Sequence, residues 1–116
     1  MVLFVGTLGG DTMVGTSSAD VVSAGPGDDQ IIGFVGADTL DGGVGNDTLV
    51  LTATSTTLNT VRDASLVNVE TISASFAAAG VTITLAKQSE NFTLTASNYA
   101  DSLTGGFGAD KINGLI

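Results

Sequence analysis

The stretch GTLGGDTMV GTSSADVVS AGPGDDQII GFVGADTLD GGVGNDTLV, residues 6–50, decides how this chain folds. Cut every nine residues from Gly6, it keeps one frame through five blocks: 6–14, 15–23, 24–32, 33–41 and 42–50. The sixth place is always Asp: Asp11, Asp20, Asp29, Asp38 and Asp47. The eighth is always apolar: Met13, Val22, Ile31, Leu40 and Leu49. A strand sends alternate side chains to opposite faces. The eighth residues therefore make an inward row, and Thr12, Ser23, Gln30, Thr39, Asp41 and Thr48 stand outside. The remaining six residues of each block are Gly-rich turns, able to take φ > 0 without steric penalty. Such short strands cannot fold singly. They can stack as an all-β, right-handed parallel β-roll with two nonapeptides per coil. Asp11, Asp29 and Asp47 then share one edge, and Asp20 and Asp38 the other.

Carboxylates in adjacent coils would lie roughly 5 Å apart, the interstrand spacing. Like charges that close disfavour both ionisation and compactness. Residues 1–50 hold seven Asp, and no Lys or Arg precedes Arg62. A hard cation resolves the conflict. Ca²⁺ takes about six to eight oxygens from carboxylates and backbone carbonyls. Besides the five Asp, the turn glycines Gly6, Gly9, Gly15, Gly25, Gly27, Gly33, Gly36, Gly42 and Gly45 are the candidate metal-site residues. Edge pairing predicts three complete sites: Asp11/Asp29, Asp29/Asp47 and Asp20/Asp38. Mg²⁺ suits this less well, because it demands near-ideal octahedral geometry. Zinc is disfavoured by the absence of His and Cys.

The G-G-x-G-x-D-x-U-x pattern resembles the repeat-in-toxin (RTX) family of secreted bacterial proteins. The resemblance covers 6–50 and returns at 96–113. It implies Ca²⁺ as the cofactor, and export through a type I secretion channel in the unfolded state, with folding outside.

Between the two regions the composition changes. Residues 51–79 contain no Gly, against eleven in residues 6–45. Period-2 stretches at 67–70, 81–85 and 92–95 read as strands, and Gly80 as a turn. Asp63-Ala64-Ser65-Leu66 is expected to open a short helix capped by Asp63. Residues 66–72 look like the wider-coil β-solenoid segments found beside RTX repeats in large bacterial surface proteins. The frame resumes in phase at ASNYADSLT (96–104) and GGFGADKIN (105–113). Asp101 and Asp110 take the sixth place there, and Leu103 and Ile112 the eighth. A continuous solenoid without net insertion gives this phase. It would put Ile83 and Phe92 beside Asp101 and Asp110, leaving half-sites at most. The chain thus reads as one module, 1–116: a calcium β-roll at 6–50, a Gly-poor solenoid at 51–95, and returning nonapeptides at 96–116. Its last residues open a further nonapeptide, which suggests a piece of a longer repetitive parent with neighbouring repeats.

Composition narrows the function. A net charge of −9 argues against nucleic acid as a partner. No window approaches the ~20 apolar residues of a membrane-inserted helix. Without Cys there is no disulfide framework. Without His or Cys, hydroxyls such as Ser97 and Ser102 have no triad base, and no enzyme is expected. The Asp28-Asp29 pair reads not as a glycosidase dyad but as a grid ligand, Asp29, beside a variable fifth position whose side chain points to solvent. Gly25-Pro26-Gly27 and Gly43-Val44-Gly45 lack the Lys of a phosphate loop. The expected function is a secreted or cell-surface calcium-binding structural module. The competing class is an adhesin-like or carbohydrate-binding solenoid, with Phe34, Tyr99 and Phe107 as its candidate exposed aromatics. Open solenoid ends leave strand edges that permit end-to-end self-association.

Overall fold

A computed structural model of the protein describes residues 2–35 and 38–113. Strand β1 (Val2–Val5) precedes the nonapeptides, whose triplets become β2 (Thr12–Val14), β3 (Asp20–Ser23), β4 (Gln30–Ile32), β5 (Thr39–Asp41) and β6 (Thr48–Val50). Then come a helix, α1 (Thr56–Thr60), and a single 3₁₀ turn, Asp63–Ser65. Six strands follow: β7 (Leu66–Val67), β8 (Thr71–Ser73), β9 (Thr82–Thr84), β10 (Thr93–Thr95), β11 (Ser102–Thr104) and β12 (Lys111–Asn113).

One sheet holds six strands in the order β12-β10-β8-β6-β4-β2. A second holds β1-β3-β5-β7, and β9 pairs with β11. The strand pairings among the described residues are all parallel. In the nonapeptide half, Met13 pairs with Ile31, Ile31 with Leu49 and Val22 with Leu40. The coil is therefore two nonapeptides long, as expected. Met13, Val22, Ile31, Leu40 and Leu49 are all buried, and their rows continue as Leu66, Ile72, Ile83 and Leu94. Leu103 is only partly buried, and Ile112 is 46% exposed. Of the outward residues, Thr12, Ser23, Gln30, Thr39 and Asp41 are exposed and Thr48 half-buried.

The middle departs from the expected regularity. Thr48 pairs with Thr71 and Thr71 with Thr93, so two successive coils run 23 and 22 residues. Together they carry nine residues beyond the eighteen-residue coil, one whole nonapeptide. The frame thus returns in phase because of an insertion, not for lack of one. The period-2 stretch 67–70 is strand only at Leu66–Val67. It breaks at Asn68, whose φ of 56° lies in the left-handed region.

The expected helix at 63–66 is a single 3₁₀ turn with Arg62 at its N-cap position and no side-chain cap; Asp63 is its first residue, not its cap. The Asp63 carboxylate instead accepts the N–H (2.9 Å) and hydroxyl (2.6 Å) of Ser89 in the next coil. The helix that does form, α1, lies in a Thr-rich run to which the sequence assigns no element. Buried Ser55 caps it, accepting the Leu58 N–H at 3.1 Å and donating its hydroxyl to the Phe34 carbonyl. A five-residue helix has little stability alone. This one is held by buried Leu58 and by Asn59.

Asn59 stands in for a strand. Its Nδ2 donates to the Thr82 carbonyl at 3.0 Å, and its Oδ1 accepts the Thr84 N–H at 2.9 Å. A residue of a neighbouring parallel strand would make that same pair of bonds to β9. Asn59→Ala removes both and is expected to destabilise the fold by about 1–3 kcal/mol. Urea unfolding of the two proteins measures this. Equal midpoints would show that the amide bridge contributes nothing.

Candidate metal centre

Three of the sixth-place carboxylates, Asp29, Asp38 and Asp47, reach back one coil. Asp29 Oδ1 accepts the Asp11 N–H at 2.7 Å, and Asp47 Oδ1 accepts the Asp29 N–H at 2.9 Å. On the other edge, Asp38 Oδ1 accepts the Asp20 N–H at 2.7 Å. Asp20, Asp29, Asp38 and Asp47 are buried, and Asp11 is half-buried. The structure thus brings together all three Asp pairs read from the spacing.

The second oxygen separates two kinds of turn. Asp11 Oδ2 accepts the Thr7 N–H at 2.7 Å, and the Thr7 hydroxyl donates to Oδ1 at 2.9 Å. Thr16 does the same for Asp20, at 2.7 and 2.9 Å. Ser97 closes on Asp101 with its N–H at 3.0 Å and its hydroxyl at 2.6 Å. Asp29 and Asp47 have no such hydroxyl. Four residues before them stand Gly25 and Gly43, with φ of 86° and 87°. The Gly43 N–H is given to Asp41 Oδ1 instead, at 3.0 Å. As a result Asp29 Oδ2 and Asp47 Oδ2 are buried without a hydrogen-bond partner.

The turn glycines pack backbone against backbone around these carboxylates. Gly27 lies against Gly9, Gly45 against Gly27, and Gly25 against Thr7. A Cβ on Gly45 would stand 2.1 Å from the Gly27 carbonyl oxygen. Gly6 faces the Ala24 carbonyl, Gly15 that of Gly33, and Gly42 that of Asn68. Gly36 lies outside the described residues. Among the described residues no three carboxylates converge on one point. The carboxylates come in pairs, and turn carbonyls supply the other nearby oxygens. That donor set, oxygen only and anionic, fits Ca²⁺. A buried, unpartnered carboxylate oxygen is costly unless a cation or donor meets it.

Electrostatics agree. Burial holds the Asp47 carboxyl above its ordinary range; the Asp29 N–H opposes this, and the charges of Asp29, Glu70 and Asp28 add to it. Burial likewise raises Asp38, opposed by the Asp20 N–H and reinforced by the Asp20 charge.

Four sequence expectations change. Asp101 stands not over Ile83 but over Val81, whose N–H it accepts at 2.8 Å, because β9 and β11 are offset by 20 residues (Thr82 against Ser102). Asp110 does stand over Phe92, accepting its N–H at 3.0 Å, and its Oδ2 takes the Gly106 N–H at 2.7 Å. Neither Val81 nor Phe92 offers a carboxylate. Asp28 is exposed, yet its Oδ1 accepts the Asn46 N–H of the next coil at 2.9 Å and so is not simply solvated. Phe34 is buried, which removes it from the exposed aromatics, while Phe76 is exposed and was missed. Glu70 was also missed: its Oε2 accepts the Asp47 N–H at 2.8 Å, taking the place of a sixth-position Asp. The signal was there, since Glu70-Thr71-Ile72 repeats the acid-Thr-apolar order of Asp47-Thr48-Leu49.

Residues 5–33, 14–49 and 93–115 match a family described as the RTX calcium-binding nonapeptide repeat (4 copies), which takes in more than half of the chain. No curated protein and no solved structure matches.

The metal-free fold should have an inverted pH dependence. Asp38, Asp47 and Glu90 are raised, so their contribution is complete below their ordinary values of 3.8 and 4.5 and is lost as pH rises through the folded values. Asp63 and Asp101 are lowered, chiefly by the Ser89 and Ser97 hydroxyls, and their contribution is lost only as pH falls below 3.8. Metal-stripped protein should therefore be more ordered at about pH 4 than at pH 7, and calcium should reverse the order. Circular dichroism across this range tests it, and a metal-free β-signal that rises steadily from pH 4 to 7 would contradict it.

Proposed function

Because the chain belongs to the RTX calcium-binding repeat family, we propose that it is a calcium-dependent structural module of a secreted or cell-surface bacterial protein. It folds when it meets calcium after export. The observation that carries this is the pair of buried, unpartnered oxygens, Asp29 Oδ2 and Asp47 Oδ2, in a half with no cationic side chain. Asp11 with Asp29, Asp29 with Asp47, and Asp20 with Asp38 would hold the ions, with carbonyls of the intervening Gly turns. The bound ion supplies positive charge between stacked carboxylates and so allows the coils to close. Extracellular modules bind calcium with Kd of roughly 10⁻⁴–10⁻³ M, and metal binding energy then becomes folding energy. Net charge −9 keeps the calcium-free chain open for export, which a type I channel would carry out. Among the described residues no helix is long and apolar enough to cross a membrane.

A calcium titration of metal-stripped protein tests the proposal. Circular dichroism should report a disordered-to-β transition in residues 6–50, and calorimetry should find ions bound there. An unchanged spectrum in metal-free buffer would overturn it. Ligand ranking gives a second check. Asp29 faces both neighbouring coils, whereas Asp11 faces one and is closed by Thr7. Asp29→Asn should raise the calcium midpoint most, by about tenfold or more, and Asp11→Asn less. Asp28→Asn keeps an acceptor for the Asn46 N–H and should leave the midpoint nearly unchanged. Equal damage from Asp28→Asn and Asp29→Asn would exclude the sixth position as the ligand.

A further inference from the structure

We infer that the calcium ladder runs one step past the nonapeptides, into a fourth cation site formed by Asp47, Glu70 and the backbone carbonyl of Asn68. This rests on the calcium function proposed above and adds a site that the repeat pattern does not contain. The site repeats the two defining contacts of the Asp20/Asp38 pair. There, Asp38 Oδ1 accepts the Asp20 N–H. A Cβ built on Gly15, which opens the same turn, would meet the next coil's Gly33 carbonyl oxygen at 2.7 Å and Asp20 Oδ2 at 3.4 Å. Here, Glu70 Oε2 accepts the Asp47 N–H at 2.8 Å. A Cβ built on Gly42 would meet the next coil's Asn68 carbonyl oxygen at 2.1 Å and Asp47 Oδ2 at 2.6 Å. The absent side chain of Gly42 thus leaves a cradle between a carbonyl and a carboxylate of successive coils.

A second observation points to a ligand. Asp47 is 0% exposed, and its Oδ1 is committed backwards to the Asp29 N–H. Its Oδ2, on the side of the Asn68 carbonyl, is buried with no partner. The local sequence explains how a non-repeat coil supplies the rest. Residues 68–70 bridge β7 and β8 in three residues, where 42–47 use six. The extra methylene of Glu over Asp lets the shorter turn still reach the Asp47 N–H. Asn68 is the non-glycine residue with positive φ among those described, a conformation Asn tolerates better than most. Its side-chain amide donates to Asp41 Oδ1 at 2.8 Å, which fixes the turn that presents its carbonyl. Beside the site, an open cleft of about 410 Å³ lined by Asn68, Val69, Glu70, Ser89, Glu90 and Asn91 admits water. Ca²⁺ accepts such a mixed, irregular oxygen shell, whereas Mg²⁺ does not.

Counting ions tests the inference in the full chain. Calcium is added to metal-stripped wild type, Glu70→Gln and Glu90→Gln. Bound ions are counted by calorimetry and by metal analysis after gel filtration. Gln at 70 keeps an acceptor for the Asp47 N–H, so the coil contact survives, and circular dichroism at saturating calcium should match wild type. Glu70→Gln is expected to bind one ion fewer than wild type, and Glu90→Gln the same number. Equal counts in wild type and Glu70→Gln would overturn the site. Loss of an ion in Glu90→Gln but not in Glu70→Gln would move the cation into the cleft and also overturn it. Calcium binding by none of the three would instead overturn the calcium function itself, and this site with it.

Discussion

A carboxylate stacked on a carboxylate, one strand spacing apart, is the constraint on which the rest of this solenoid depends. The fold puts Asp29 over Asp11, Asp47 over Asp29 and Asp38 over Asp20. It handles half of the problem with backbone. One oxygen of each carboxylate takes the N–H of the Asp below, which converts a repulsive neighbour into a donor. This hydrogen bond also fixes the register of eighteen residues, because a slip of one residue would remove the N–H and turn the inward row outward. The other oxygen is left to the turn, and only there do the coils differ.

The apolar core is divided unevenly along the stack. In the nonapeptide half each coil contributes little beyond its eighth-position side chains, because the turns are glycine and polar. The Gly-poor coils are thicker. Leu51, Leu58, Val61, Leu85 and Phe92 join the inward rows there, and α1 lies across the edge where β9 would otherwise lack a neighbour. The two halves therefore hold their coils in different ways. The wide coils rely on burial and on side-chain bridges such as Asn59 and Asp63. The narrow coils, with less apolar area to offset the ordering of each residue, rely on what satisfies the carboxylates.

The nonapeptide half was legible in the sequence because two independent periods, Asp at the sixth place and an apolar residue at the eighth, agree over 45 residues. That agreement fixed the strands, the coil length, the inward row and the Asp pairs. The middle was much less legible. Its strands were found roughly, since period 2 survives at 81–85 and 92–95. Coil length there is set by insertions that carry no period. An insertion totalling one nonapeptide leaves the frame looking unbroken, and so put Asp101 over the wrong residue. The helix α1 was invisible because Ser55-Thr56-Thr57 favours strand as readily as a helix cap, and tertiary contacts through Leu58 and Asn59 decide the matter. Glu70 escaped because the reading required Asp, although position before Thr-apolar is what matters geometrically.

The second residue of each turn sorts the carboxylates by what they need. Where it is Thr or Ser, as at Thr7, Thr16 and Ser97, the hydroxyl and N–H close on the Asp four residues later. A hydroxyl and a cation are alternative solutions to the same charge, and the hydroxyl is carried by the chain itself. Where the second residue is Gly in the left-handed region, as at Gly25 and Gly43, no hydroxyl exists and the Asp oxygen stays buried and unmet. These open turns fall at Asp29 and Asp47, each of which has a coil on both sides in this edge of the stack. A cation placed there contacts two coils at once, so its binding free energy is spent on stacking and not on a single turn. The self-closed turn at Asp11 stands at the first coil of that edge, where there is no preceding sixth-place N–H among the described residues for the Asp to accept. The choice between Thr and Gly at one position thus decides where along this edge a buried carboxylate oxygen is left unmet.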